Sequence, residues 1–184
     1  MSVRLKTQWH KEKARSLEET ASTTAFIIWR ISTQTLLELE NEGFMTYSNE
    51  HRLQVVGECL AFLLQATDRL VHADKMPDSV RHSFINAVAL HLLRTYEENH
   101  QELYGSGDYR QVLLDLFNKQ AEAYAPYAFA GGEAKLDFLR HFATSVGAVL
   151  GDSKNKHWII EQITEINGPN MVKSLRKAVN ELFD

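Results

Sequence analysis

The chain has very little cysteine, since Cys59 is the single thiol among 184 residues. No disulfide can form within such a chain, which fits a protein of a reducing compartment. Cys59 lies in the run ECLAFLL, between mostly apolar neighbours. A thiol in such surroundings is usually a small buried hydrophobic group. We therefore interpret Cys59 as a core residue and not as a nucleophile.

Long apolar runs are also absent. The longest, CLAFLL and AFIIW, reach six and five residues, whereas a transmembrane helix needs about 20. The N-terminal stretch MSVRLKTQWHKEKARSLEE is charged and lacks the apolar segment of a signal peptide. We therefore expect a water-soluble, cytoplasmic protein with no membrane span.

Proline and glycine are scarce, with three and nine residues, so few elements are interrupted. Apolar residues recur at steps of three and four along the chain, and no alternating strand pattern stands out. The sequence predicts an all-α fold, a single-domain bundle over residues 1–184 with a long N-terminal helix and short loops. About seven helices are expected, over residues 6–42, 49–72, 79–103, 108–125, 133–150, 155–166 and 169–183.

Charge is unevenly distributed in this chain of net charge -4. Residues 1–15 hold five basic residues and one acidic residue, whereas residues 16–153 hold 10 basic and 19 acidic residues. An acidic body repels phosphates, which disfavours nucleic acid as a partner. We interpret residues 1–16 as a charged helical arm, either a solvated helix end or a contact with another chain. Leu5 and Trp9 lie four residues apart on it, and an exposed tryptophan favours a protein interface.

The first helix carries one narrow polar stripe. Residues 25–39 are apolar on most sides, but Arg30, Gln34 and Glu38 follow one another at steps of four. Side chains at this spacing lie on one face of a helix. The pattern predicts a central helix with one edge that faces either solvent or a partner.

The apolar run LAFLLQATDRL, residues 60–70, takes in Asp68 among residues of opposite character. A carboxylate in a buried helix needs a cation or donors, because an unpaired buried charge costs several kcal/mol. We expect a structural ion pair between Asp68 and Arg94 on the third helix. Arg30 and Arg140 are the alternative partners, and a solvated position or a functional carboxylate is the alternative to an ion pair.

A metal site is a second possibility. Glu97-x-x-His100 places a carboxylate and an imidazole on one helical face, and Asp137 and His141 repeat that combination four residues apart. Together with Glu58, these residues would suit Fe or Mn by ligand type. However, the Glu-x-x-His pair occurs once and a fourth carboxylate is missing. We therefore expect no cofactor and keep this five-residue site as an alternative.

Other chemistry has little support. Ser106 lies in GSGD, but a nucleophile elbow needs Gly-x-Ser-x-Gly after a strand, and no phosphate-binding loop is present. Tyr124, Tyr127 and Phe129 surround a proline between two helices. They would either line a pocket for a small apolar ligand or plug that end of the bundle.

The sequence as a whole argues against an enzyme. It favours a soluble, non-catalytic protein-interaction module that self-associates, such as a homodimer. A helical-bundle metalloprotein and a carrier of a small apolar ligand are the alternatives.

Overall fold

A computed structural model describes residues 16–151 and 156–183, and it confirms the all-α fold. Within these two ranges, every helix is either too short or too polar to span a lipid bilayer. The helices are α1 (Leu17–Asn41), α2 (Asn49–Ala73), α3 (Asp78–Tyr104), α4 (Tyr109–Tyr124), α5 (Leu136–Leu150), α6 (Lys156–Gln162) and α7 (Gly168–Phe183), and a π-helical segment, Ile163–Asn167, joins the last two.

The start of α1 is fixed by a capping box. The Ser16 hydroxyl accepts a hydrogen bond from the Glu19 backbone at 3.1 Å, and the Glu19 carboxylate accepts one from the Ser16 backbone at 2.7 Å. These bonds satisfy two donors that a helix start otherwise leaves free. The helix predicted from residue 6 therefore has its cap at Ser16, and the preceding part of that prediction lies outside the described residues.

The central helix of the bundle is α2, and not the first helix as the polar stripe suggested. It packs against α1, α3, α4, α5 and α7. Fifteen of its 25 residues are buried, compared with nine of the 25 in α1. α2 is enclosed because its own buried, mostly apolar side chains between Leu53 and Val71 lie on all of its faces. This is the pattern of a helix surrounded by other helices.

The predicted ion pair between Asp68 and Arg94 is wrong in its partner. Asp68 binds Arg81 at 2.5 Å, with both side chains partly buried, and Arg94 is exposed. α2 and α3 are joined by a short turn, so Asp68 near the end of α2 lies beside the first turns of α3. Arg94 is 13 residues beyond Arg81, about 20 Å further along α3 at the usual helical rise.

Arg69, the residue after Asp68, stabilises the end of another helix. Its guanidinium donates to the carbonyl oxygens of Tyr124 and Ala125, at 3.4 and 3.3 Å. These carbonyls terminate α4, where a cation is also favoured by the helix dipole. Asp68 and Arg69 thus serve the packing of the bundle.

The predicted stop and restart at NGPN is also wrong. Segments α6, Ile163–Asn167 and α7 follow each other without a break, so residues 156–183 form one continuous helix and the described chain contains six helical rods. The Gly168 N–H donates to the Ile163 carbonyl, five residues back. This wider π turn leaves room for Pro169, whose ring would clash with a carbonyl in a regular α-helix.

The glycine pair after α4 forms a minimal hairpin. Strands β1 (Phe129–Ala130) and β2 (Glu133–Ala134) pair antiparallel, with Gly131 and Gly132 between them. Both glycines have positive φ, +67° and +74°. Two such residues in a two-residue loop give the turn type that matches strand twist, and side chains would strain it.

Candidate functional site

Three helices converge on a cleft that contains buried polar side chains. Glu58 on α2 forms its floor, Gln120 comes from α4, and His141 and Ser145 come from α5. The cleft has a volume of about 400 Å³ and opens to solvent beside Lys119. We name this set of residues the polar cleft.

The Gln120 side chain joins the three helices. Its amide nitrogen donates to the Glu58 carboxylate at 2.8 Å and to the Ser145 hydroxyl at 3.3 Å, and its amide oxygen accepts from His141 Nε2 at 2.6 Å. Gln120 is 3% exposed. In this arrangement both donors and the acceptor of the amide are used, and His141 donates from Nε2.

Glu58 is a carboxyl group with incomplete compensation. Burial raises its pKa, and this effect prevails over the hydrogen bond from Gln120 and the charge of Lys119, which lower it. Within the described ranges, no Lys, Arg or His lies within ion-pair distance of Glu58. One carboxylate oxygen accepts from Gln120, and the other has no hydrogen-bond partner there.

His141 is held in its neutral form. Burial and, secondarily, the charge of Lys119 lower its pKa. Its ring meets the Tyr124 ring edge-on, with centroids 4.6 Å apart, and lies 5.5 Å from that of Tyr127. A neutral imidazole next to a carboxyl group of raised pKa is the kind of arrangement that clusters at functional sites.

We expect Glu58→Gln to raise the free energy of unfolding at pH 7 by about 1 kcal/mol. The folded protein binds the Glu58 proton more tightly than the unfolded chain does, so its stability falls as pH rises from 4.5 through the raised pKa. Glutamine has no charge to bury, and its carbonyl oxygen can still accept from Gln120. Urea unfolding at pH 4 and pH 7 measures the effect.

Most of the gain should disappear at pH 4, where Glu58 is largely protonated in both the folded and the unfolded chain. Glu161→Gln is the matched control, since Glu161 is exposed on α6, and it should leave stability unchanged at both pH values. A Glu58→Gln protein that is less stable than wild type at pH 7 would show that the carboxylate stabilises the fold.

The five residues of the alternative metal site do not form one cluster. Glu58 and His141 share the polar cleft, whereas Asp137 is exposed. His100 is buried elsewhere: its ring stacks on Tyr109 at 4.7 Å, and its Nδ1 donates to the carbonyl of Tyr96. Throughout residues 16–151 and 156–183, no three His, Cys, Asp or Glu residues are placed to hold a metal ion.

The junction aromatics pack into the bundle. Tyr124 is 1% exposed and lies against Phe62 and Phe138, and Phe129 meets Phe138 edge-on at 5.6 Å. Tyr127 covers His141. These contacts fill the end of the bundle, as in the plug alternative, and the polar cleft is lined by other residues.

Cys59 is fully buried, and burial raises the pKa of its thiol. The charge of Glu58 acts in the same direction. The thiol therefore stays protonated at neutral pH, which makes it a poor nucleophile and agrees with its interpretation as a core residue.

A second feature is a groove between α1 and α7. It has a volume of about 670 Å³, with an apolar floor that includes Ile27, Ile31 and Met171. The groove contains the whole polar stripe of α1, Arg30, Gln34 and Glu38.

Two large apolar side chains flank this stripe on α1. Phe26 is 61% exposed and Leu37 is 48% exposed. We name Phe26, Arg30, Gln34, Leu37 and Glu38 the α1 face. The predicted interface residues Leu5 and Trp9 lie outside the described residues.

Gln120 was not predicted as a site residue, although its position in the sequence carries a signal. Gln120 interrupts a stripe of apolar residues on α4, formed by Leu113, Phe117 and Tyr124 at helical spacing, all of them buried. A polar side chain in a core stripe needs buried partners. Those partners, Glu58 and His141, are 62 and 21 residues away, so spacing within one helix could not reveal them.

No protein-family model, no curated protein and no solved structure matches this chain.

Proposed function

We propose that this protein is a non-catalytic, self-associating module, in which two copies pair through the α1 face. The observation that carries the proposal is the order of charges on that face. Arg30 and Glu38 lie at equal distances on either side of Gln34, four residues away in each direction. Two such helices packed antiparallel about Gln34 place each Arg30 beside the Glu38 of the other copy.

This arrangement satisfies the geometry of a two-fold interface. Such an interface brings one surface patch against its own copy, so the patch must be complementary to itself. In the same register, Leu37 of one copy meets Ile31 of the other, and Gln34 meets Gln34. A single register of the two helices therefore forms both the ionic and the apolar contacts.

The surroundings leave these charges available. Arg30 lies over the Phe26 ring at 5.9 Å and forms no ion pair within residues 16–151 and 156–183. Glu38 accepts hydrogen bonds from Gln34 at 3.2 Å and from Asn167 at 3.1 Å, which hold its carboxylate in position. A fixed carboxylate loses less side-chain entropy when it pairs.

The groove provides space for a second helix. Its apolar floor supplies contact area, and its walls are polar side chains of α1 and α7, such as Ser174 and Lys177. One end is formed by Asn167 at the π turn, and π turns are frequent at functional sites. An apolar floor with polar edges is typical of a protein interface.

Charge reversal tests the register. We expect wild type to show twice the mass of one chain by light scattering, and Arg30→Glu and Glu38→Arg each to raise the dissociation constant about tenfold to hundredfold. Either change puts like charges together at both symmetric contacts. Arg140→Glu, on an exposed site of α5, is the control and should dimerise as wild type does.

Mixing the two variants gives the sharper result. One copy then carries two acidic residues and the other two basic residues, so both cross-contacts are restored and a heterodimer should form. A wild type that stays monomeric at about 100 µM, on the scale of weak complexes, or variants that dimerise normally, would overturn the proposal.

Deletion of residues 1–15 separates the α1 face from the charged arm. The deletion keeps the Ser16 cap and the α1 face, so dimerisation through that face should persist. A deletion variant that is monomeric, together with an Arg30→Glu variant that still dimerises, would assign self-association to Leu5 and Trp9 and reject the α1 face.

A further inference from the structure

The polar cleft has the properties of a prepared binding site, independently of self-association. Its floor and its bridging amide are nearly solvent-free, since Glu58 is 9% and Gln120 is 3% exposed. All the hydrogen-bonding groups of the Gln120 amide are engaged, which fixes the positions of Glu58, His141 and Ser145. Polar groups held in this way at the base of a cleft, whose other lining residues have mostly short side chains, can orient a ligand.

The base of the cleft is complementary to a positively charged hydrogen-bond donor. Glu58 has one carboxylate oxygen without a hydrogen bond in the described part of the chain, and no cation lies within ion-pair distance there. The Ser145 hydroxyl accepts from Gln120 and can use its second lone pair for a further donor. A ligand ammonium group, with three donors, meets both requirements.

The mouth of the cleft has the opposite charge. Lys119 is exposed at the rim, one residue before Gln120, and its charge acts on both Glu58 and His141. A ligand that carried only a positive charge would be repelled there. A carboxylate at the outer end of the ligand would instead be attracted by Lys119.

The walls are short. Ala123, Ala148 and Val149 present small apolar surfaces, and Thr144 adds a hydroxyl. A volume of about 400 Å³ accommodates a small metabolite with a short aliphatic side chain.

We propose that the polar cleft binds a small zwitterion of the α-amino acid class, with its ammonium on Glu58 and Ser145 and its carboxylate towards Lys119. The buried carboxyl group at the base and the lysine at the rim determine the direction in which the ligand binds. The side chain of the ligand packs on the alanines of the wall.

Three matched probes test the ligand class: L-valine, isobutylamine, which is valine without the carboxylate, and 3-methylbutanoate, which is valine without the amine. Binding is measured by two-dimensional NMR titration of the 184-residue chain, following the Gln120 side-chain amide and the His141 ring. We expect valine to bind, isobutylamine to bind more weakly, and 3-methylbutanoate to cause no shift of these signals.

Two variants test the assigned contacts. Glu58→Gln should weaken valine binding at least about tenfold, because a charge-assisted contact is lost. Lys119→Gln should weaken it about threefold, as an exposed charge contributes little, and should remove the preference for valine over isobutylamine. Glu133→Gln and Lys173→Gln are the exposed controls and should bind valine as wild type does.

Three results would overturn the proposal. Equal affinity for valine and isobutylamine in wild type would reject a zwitterion. Unchanged valine binding by Glu58→Gln would move the site elsewhere, and the absence of shifts at Gln120 and His141 with all three probes would reject the site. Two-dimensional NMR spectra of the variants report folding directly, so loss of binding is distinguished from loss of structure.

Discussion

Replacing Phe62 by alanine is expected to lower the free energy of unfolding by about 3–5 kcal/mol. Phe62 is fully buried on α2, and its ring stacks on Phe142 with centroids 4.1 Å apart and parallel to within 12°. It also meets Phe138 at 5.7 Å and Tyr124 at 6.3 Å. The substitution removes the ring from the point where α2, α4 and α5 pack, and the rigid neighbours cannot collapse into the space.

Urea unfolding at pH 7 measures this loss, and an unchanged slope would show that the denatured state is not altered. Leu90→Ala is the control, because Leu90 lies on α3 with 53% of its side chain exposed. It should change stability by less than about 0.5 kcal/mol. A loss below about 1 kcal/mol for Phe62→Ala would mean that the aromatic cluster is not packed as described.

Replacing Gly168 by valine is expected to cost about 3 kcal/mol or more. A Cβ atom at this position would lie 2.7 Å from Leu139 Cδ2 and 2.9 Å from the Ile163 carbonyl oxygen. Backbone atoms cannot move aside as a flexible side chain can. The substitution therefore forces either the π turn or the packing of α7 on α5 to change.

A graded series gives the control. Gly168→Ala should cost less than Gly168→Val, since alanine brings the Cβ contact without the two further methyl groups. Asn180→Val, at an exposed position of α7, tests the cost of a branched residue alone and should stay below about 0.7 kcal/mol. If Gly168→Val and Asn180→Val have equal stability in thermal and urea unfolding, the tight approach at Gly168 is absent.

The residues of the polar cleft show why a site of this kind is hard to predict. The sequence indicates both Glu58 and His141, but as ligands of a metal, because His141 lies four residues from Asp137 on one helix and Glu58 is a lone carboxylate on another. Their shared partner, Gln120, belongs to a third helix, and its amide is what relates them. Pairing across helices depends on rotation and register, which local spacing does not determine.

The ion pair of Asp68 likewise depends on contacts between helices. The need for a cation could be deduced from the apolar surroundings of Asp68, since burial of an unpaired carboxylate is costly. The identity of that cation could not be deduced. Arg81 and Arg94 both lie on α3, and only the position of the turn after α2 decides which of them is adjacent to Asp68.

The all-α class and the positions of most helices can be read from the sequence alone, because helical periodicity and capping act between residues three or four apart. The burial of Cys59 can be read in the same way. Three features cannot: the central position of α2, the continuation of the last helix through Gly168 and Pro169, and the polar cleft between α2, α4 and α5. They arise from packing between segments that are distant in the chain, where steric fit and buried hydrogen bonds override local preference.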